Sequence, residues 1–319
     1  MPSVLVTGGA GFIGSHVVEA LLGAGREVLV LDNFDDFYHP EVKRRNLEPF
    51  AGRPGFALVE GDIRDPRLVD SVFAGHPVGV VVHLAARAGV RPSIEQPVLY
   101  ADVNVTGTTV LLEACRKHGI GKLIFGSSSS VYGNSPRVPF SEKDEVERPV
   151  SPYAATKRAG ELLCATYHHL YQLNVFALRF FTVYGPRQRP EMAIHRFTRL
   201  IDRGLPVPRF GDGSTRRDYT YITDIVNGVM RAIDRVQGFE IINLGGSQTT
   251  RLDQLIALLE RNLGQKALIE EEPPQPGDVV ATHADVEKAR RLLGYEPKVG
   301  IEEGVRRFVE WYRGLKERR

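Results

Sequence analysis

The stretch SVLVTGGAGFIG, residues 3–14, constrains this chain more than any other. An apolar, β-branched run ends in a turn whose glycines, Gly8, Gly11 and Gly14, recur at every third position, and a helical pattern follows at once. Glycine lets such a turn be tight and lets backbone approach a ligand. The helix behind it offers free N–H groups and the positive end of its dipole, which suits a pyrophosphate. Glycines alone are a weak sign, but here the context agrees. The next apolar run, EVLVLD, ends in Asp32, 18 residues after Gly14. A carboxylate there accepts hydrogen bonds from both hydroxyls of an adenine ribose and repels a 2′-phosphate, so NAD is expected rather than NADP. Asp62 and Ile63, just past a third apolar run, read either as an adenine contact or as a capped loop.

That first unit sets a pattern that repeats. Strand candidates cover 3–8, 27–32, 56–61, 78–84, 122–127 and 174–180, with helical stretches at 12–24, 66–74, 96–118 and 152–171. Several runs are continuously apolar, as strands covered on both faces must be. Alternation of this kind predicts an α/β, Rossmann-like, doubly wound parallel sheet. After residue 182 proline and glycine cluster, and helices recur near 192–203, 222–235, 251–263, 285–293 and 301–314. We expect an NAD-binding domain over 1–181. A smaller mixed α/β lobe over 182–319 is expected to bind mainly substrate, with some chain crossing back. The two should meet at the carboxyl ends of the strands.

Charge and cysteine usage narrow the setting. The 319 residues carry 41 basic and 39 acidic side chains, a net +2, which gives no reason to expect nucleic acid or a membrane surface as partner. No apolar run is long enough to span a bilayer. Cys115 and Cys164 form no CxxC pair, so neither a disulfide framework nor a metal site is indicated, and a reduced, cytoplasmic location is expected. The arginine-rich end, RRFVEWYRGLKERR, reads as a solvated amphipathic helix.

The segment SPYAATKRAG, residues 151–160, raises a chemical question. Ser151 and Pro152 are helix-start residues, so Tyr153 and Lys157, four apart, share a helical face near its positive end. On spacing alone a solvated surface pair is the better reading, since most such pairs are chemically idle.

Taken in order, GGAGFIG, the Asp after the second strand, HLAA (83–86), SSSSVYG (127–133), YAATK (153–157) and RRDYTYITDI (216–225) resemble the extended short-chain dehydrogenase/reductase family over the whole chain. The resemblance implies Tyr153 as general acid and base, Lys157 as the group that lowers the phenol pKa and bridges to the nicotinamide ribose, and Ser128, in the loop after the fifth strand, as the positioning hydroxyl. It implies cofactor contacts from Gly8, Gly11, Phe12, Ile13, Gly14, Asp32, Asn33, Asp62, Ile63, Leu84, Ala85, Ala86, Asn104 and Phe181, besides Tyr153 and Lys157. It also implies a homodimer through the helices near 96–118 and 152–171.

Within the family, the serine loop lacks the acidic pair of the sugar-nucleotide dehydratases, having Ser128, Ser129 and Ser130 there. Ser129 and Ser130 suit a sugar, though plain loop polarity explains them too. Arg217 resembles the arginine that grips the diphosphate of a UDP-sugar, and Asp278 the acidic residue near it. Thr182 and Gln275, together with DNFDDFYHPEVKR (32–44) and RPEMAIHRFTR (189–199), resemble UDP-glucuronate 4-epimerases more than UDP-glucose 4-epimerases. In that branch Arg189 and Thr182 meet the sugar carboxylate, which an arginine fork matches. The implied reaction is transient oxidation at C4 and return of hydride to the other face. The alternatives are a UDP-glucose (UDP-galactose) or UDP-N-acetylglucosamine 4-epimerase, then a UDP-glucuronate decarboxylase or a non-catalytic NAD-binding protein.

Overall fold

A computed structural model describes residues 2–273 and 279–317. The first half runs β1 (Ser3–Thr7), α1 (Phe12–Gly23), β2 (Val28–Asp32), α2 (Pro40–Leu47), β3 (Phe56–Glu60), α3 (Pro66–Gly75), β4 (Val78–His83), α4 (Val90–Glu95) and α5 (Pro97–Ala101). A π-helical turn, Asp102–Thr106, leads into α6 (Gly107–Lys117), followed by β5 (Lys122–Ser128), α7 (Pro152–Tyr171) and β6 (Asn174–Phe180). The second half holds β7 (Thr182–Tyr184), α8 (Ala193–Asp202), β8 (Pro206–Phe210), β9 (Arg216–Arg217), β10 (Tyr219–Tyr221), α9 (Ile222–Arg235) and β11 (Phe239–Leu244). It ends with β12 (Thr250–Arg251), α10 (Leu252–Leu263), β13 (Leu268–Glu272), α11 (Glu287–Leu293) and α12 (Ile301–Glu317).

Seven parallel strands form the main sheet in the order β11-β6-β5-β4-β1-β2-β3. Period-two alternation splits its side chains between two cores. Val4, Val6, Val28 and Val30 face a core shared with Val17 and Val18 of α1 and Ile225 and Val229 of α9. Leu5, Leu29, Leu31 and Val81 face the other, with Val69 of α3, Leu111 and Leu112 of α6, and Cys164 of α7. Helices therefore cover both faces.

The six strands expected from the sequence all form. The seventh, β11, was not foreseen: FEIINL carries Glu240 and Asn243, and its seat beside β6 is fixed by tertiary pairing of Ile241 with Ala177. The C-terminal half thus contributes a strand to the main sheet. Three two-stranded pairs, β7 with β10, β9 with β12 and β8 with β13, extend beyond the sheet's carboxyl edge. Among the described residues no helix is long and apolar enough to cross a membrane, and no cluster of metal-ligating side chains occurs.

Candidate active site

One cavity runs along the carboxyl ends of β1, β2, β4 and β5. At one end stands the glycine turn. Gly8 has φ +70, and a Cβ there would lie 2.6 Å from the Ala85 nitrogen, while one at Gly14 would lie 2.1 Å from the Gly8 oxygen. Both positions are closed by protein. Gly11 differs: its Cβ would meet only the Gly8 oxygen, at 3.2 Å. Gly11 is also the N-cap of α1, and no side chain caps that helix. Gly11, Phe12, Ile13 and Gly14 all line the cavity, so the first-turn N–H groups face a cradle that a side chain at residue 11 would fill. This fits a dinucleotide pyrophosphate.

Asp32 ends β2 almost fully buried. Its Oδ2 accepts from the Ala10 N–H at 3.0 Å and its Oδ1 from the Phe34 N–H at 2.9 Å. Burial raises its pKa, and these two bonds and Lys43 pull the other way. Each oxygen keeps a lone pair for a ribose hydroxyl. Asp62 lines the cavity, but its carboxylate is committed to Arg64 and to the Asn33 amide, with Arg64 Nη2 at 2.7 Å and Asn33 Nδ2 at 3.0 Å. Asp62 thus clasps its loop and lines the cavity as well, so the structure does not choose between its two readings. Ile63, Leu84, Ala85, Ala86 and Phe181 line the same cavity.

At the other end the catalytic candidates meet. Ser151 caps α7 through the Ala154 N–H at 3.1 Å, with Pro152 in the first turn. Tyr153 and Lys157 then both face the cavity. Ser128 is not in a loop: it is the last residue of β5 and caps the short 3₁₀ turn Ser129–Tyr132, because its Oγ takes the Ser130 N–H at 3.1 Å. From there its hydroxyl donates to Ser130 Oγ at 3.1 Å and lies close enough to the Tyr153 phenol to lower its pKa. Lys157 Nζ, deeply buried, donates to the Gly126 carbonyl at 2.7 Å. Burial lowers its pKa to about 8. Burial raises that of Tyr153, while Ser128 and the Arg189 charge pull it down. The lowered phenol expected from the sequence is therefore not supplied by the chain's own groups, since Lys157 is turned to Gly126 and burial dominates.

Two layers hold this end. Beneath α7, Glu161 takes Ser127 Oγ at 2.6 Å and Arg179 at 2.8 and 2.9 Å. Behind β4, Ala85 N–H, Thr7, His83 and Thr108 form a chain of bonds to the Asn104 carbonyl. Thr108 donates to that carbonyl, so it accepts from His83 Nε2–H, and Nδ1 accepts from Thr7. Burial keeps this ring neutral down to a pKa of about 3.

Asn104 stands behind the wall. It does not line the cavity; its carboxamide bonds the Arg87 N–H at 2.8 Å, the Arg87 carbonyl at 2.9 Å and Thr156 at 3.0 Å. It positions the wall and is not part of it. Of the expected substrate residues, Arg189 reaches the cavity, stacked over Phe37 at 5.6 Å and paired with Glu191 at 3.0 Å. Ser129, Ser130 and Thr182 lie beside the wall but do not line it. Arg217, on β9, does not line the cavity, and its Nη1 donates to the Arg216 carbonyl at 2.9 Å. Its neighbour Asp218 is a buried knot that gathers N–H groups from Gly246, Ser247 and Ala284. Asp278 and Gln275 lie outside the described residues.

Sequence reasoning missed Asp35, Phe37, Tyr38, Lys43, Arg87 and Met192, which also line the cavity. The signal was present: DNFDDFYHPEVKR mixes aromatics and cations directly after Asp32, and Arg87 follows HLAA.

The model of the GDP-mannose 4,6 dehydratase family matches residues 5–308. A UDP-glucuronate 4-epimerase of Thermodesulfobacterium geofontis is 46% identical over 309 residues, covering 96% of this chain and 95% of the relative. The crystal structure of a UDP-glucuronic acid 4-epimerase from Bacillus cereus, in complex with UDP-glucuronic acid and NAD, superposes with a TM-score of 0.93 at 36% identity, covering 98% of this chain and 99% of that one. The UDP-glucose 4-epimerase of Thermotoga maritima with UDP-glucose gives 0.91 at 37% identity, with coverage of 98% and 99%. With a family model spanning nearly all of it, and the glycine turn and the Tyr153–Lys157 helix in one cavity, the chain belongs to the GDP-mannose 4,6-dehydratase family of extended short-chain dehydrogenases/reductases.

Proposed function

We propose that this protein is an NAD-dependent UDP-sugar 4-epimerase that interconverts UDP-glucuronate and UDP-galacturonate. The observation that carries the reading is Arg189 in the same cavity as Ser128, Tyr153 and Lys157: a guanidinium fork stands beside an acid–base phenol. The similarity to UDP-glucuronate 4-epimerases supports it. NAD, when bound, supplies a two-electron acceptor at the sugar's C4 and returns the electrons. Tyr153 takes the proton of the C4 hydroxyl and gives it back after the sugar has turned its other face. Ser128, beside the phenol, orients it for the proton transfer. Lys157 keeps a positive charge within one helical turn of it. Arg189 orients the carboxylate of the 4-keto acid so that its C–C bond is poorly aligned for loss of CO2.

NMR of the purified enzyme with UDP-glucuronate and no added NAD tests this. UDP-galacturonate without CO2 release is expected. A UDP-pentose product, or turnover of UDP-glucose alone, overturns the substrate assignment.

One observation favours UDP-glucose as a second reading. Arg189 already has Glu191 as a carboxylate partner, so a neutral hydroxymethyl would not leave it unpaired.

The finer setting belongs to the same proposal. Leu162, Leu170 and Tyr171 on α7 and Val98 on α5 are exposed, an apolar face suited to a homodimer. Light scattering should report twice the chain mass, and Leu162→Glu should reduce it to one. Both cysteines are free and buried, which accords with a reduced, cytoplasmic location.

A further inference from the structure

Arg189 and Met192 reach the cavity on the loop 185–192, which joins β7 to α8. The three residues before Arg189 are each tied down. From α1, His16 Nε2–H donates to the Pro186 carbonyl at 2.9 Å. Arg187 Nη2 donates to Glu19 Oε2, also on α1, at 2.7 Å. Gln188 is sealed in the core. Its side-chain oxygen accepts from the His195 backbone N–H at 3.2 Å, its amide donates to the Val183 carbonyl at 3.2 Å, and its own carbonyl accepts from His195 Nδ1–H at 2.6 Å. Beyond it, the Met192 N–H closes a turn on the Arg189 carbonyl at 3.1 Å.

The path of this loop is strained at one residue. Arg187 has φ +63, a left-handed conformation that a residue with a Cβ keeps only where its surroundings impose it. The two ties from α1 fall on Arg187 and on the residue before it. Two residues further on, the chain presents the guanidinium that stacks over Phe37. The helix that supplies the ties is the one whose first turn forms the dinucleotide cradle: Gly11, Phe12, Ile13 and Gly14 line the cavity, and His16 follows at the start of the second turn. Burial, with the Arg187 charge beside it, lowers the His16 pKa to about 4, so the ring is a neutral donor at neutral pH. One helix thus faces the cofactor with its first turn and holds the Arg189 loop with its second.

Resting on the reading of Arg189 as the group that meets the sugar, we propose that His16 is a positioning residue for substrate recognition: together with Glu19 it fixes the Pro186–Arg187 path and so sets the reach of the Arg189 guanidinium from the cofactor-binding helix. A loop released from α1 would hold the binding pose for only part of the time, and affinity for the sugar would fall by that fraction.

The test uses NAD-bound protein in a Tyr153→Phe background, to stop turnover. Calorimetry gives Kd for UDP-glucuronate and for UDP, which has no sugar to reach Arg189, and NAD content is read by absorbance after denaturation. His16→Leu keeps an apolar contact with Phe12 but no donor; His16→Gln keeps an N–H at similar reach. His16→Leu is expected to weaken UDP-glucuronate about three- to tenfold, the range of one hydrogen bond, with UDP within about twofold and NAD retained. His16→Gln should restore most of the loss. Glu19→Gln, at a half-exposed site, should act in the same direction by less, and it carries the test if His16→Leu does not fold. An unchanged Kd for UDP-glucuronate in both variants, equal weakening of UDP, loss of NAD, or no rescue by His16→Gln overturns the proposal. Arg189→Met separates the two levels. If it leaves UDP-glucuronate binding unchanged, the reading of Arg189 itself fails; if it weakens binding while His16→Leu does not, only the role of His16 fails.

Discussion

Glu161 and Arg179 form a two-pronged ion pair, 2.8 and 2.9 Å, with both side chains sealed from solvent one helical turn beyond Lys157. The pair ties α7 to β6, and through Ser127 to the end of β5 where Ser128 stands. Burial alone would raise the Glu161 pKa, but Arg179, Ser127 and Arg158 hold it below the ordinary carboxylate value. Its contribution is therefore present above the unfolded pKa and is lost as pH falls through the lower folded one.

Removing one partner of such a pair strands the other charge. Glu161→Gln should destabilise the protein by about 3–5 kcal/mol. Replacing both residues, as Glu161→Met with Arg179→Met, should recover most of that loss. Urea midpoints of the two single variants and the double variant measure the coupling. Additive losses would mean that the pair acts as two separate residues.

The glycine turn separates folding from cofactor binding. A Cβ at Gly14 collides with the Gly8 carbonyl, whereas one at Gly11 enters the cradle. Gly11→Ala should melt within a few degrees of the parent yet lose its bound NAD, while Gly14→Ala should lose both. Melting curves paired with NAD content decide it. NAD retained by Gly11→Ala would show that the pyrophosphate does not rest on this turn.

Much of this was legible in advance, and the reason differs between parts. β1, β2 and β4 announce themselves because both faces are buried, and the Gly8-to-Gly14 turn because Gly8 and Gly14 leave no room for a Cβ. β11 did not, since Glu240 and Asn243 break its apolar run and only pairing with β6 makes it a strand. In the site, Tyr153 and Lys157 were visible as neighbours on one helix. Arg87 and Phe37 were not, because 50 residues separate them and only the packing of the α2 approach against the β4 end brings them together. The grip of Asn104 on the Arg87 backbone was not legible for a related reason: a buried amide serving backbone is indistinguishable in sequence from one serving a ligand.

On the proposed mechanism, Tyr153→Phe deletes the proton-carrying oxygen and little else. The ring keeps its edge-on contact with Tyr100. We expect kcat to fall about 10²–10⁴-fold, with substrate Kd and NAD content nearly unchanged. Ser128→Ala should cost less, since it removes only the hydroxyl that positions the phenol. Single-turnover kinetics on both variants distinguish the roles. A larger loss in Ser128→Ala than in Tyr153→Phe would reverse the assignment of acid–base group and positioning group.

Lys157 sets function against stability. Its ammonium is buried against the Gly126 carbonyl and 5.2 Å over the Phe125 ring, and burial takes its pKa from 10.5 to about 8. A shift of that size corresponds to about 3 kcal/mol of charge penalty carried by the folded state at neutral pH. The sign follows from the direction. Below pH 8 both states are protonated and the penalty is complete; between 8 and 10.5 the folded state sheds its proton first and the penalty shrinks; above 10.5 it is gone. Lys157→Met removes the charge, at a cost of about 1 kcal/mol for the lost bond to Gly126. After NAD removal, the methionine variant should therefore melt higher than the parent at pH 7 and lose that advantage by pH 10, while being catalytically dead. A variant less stable than the parent at pH 7 would mean that the carbonyl and the Phe125 ring together offset the cost of burying the ammonium.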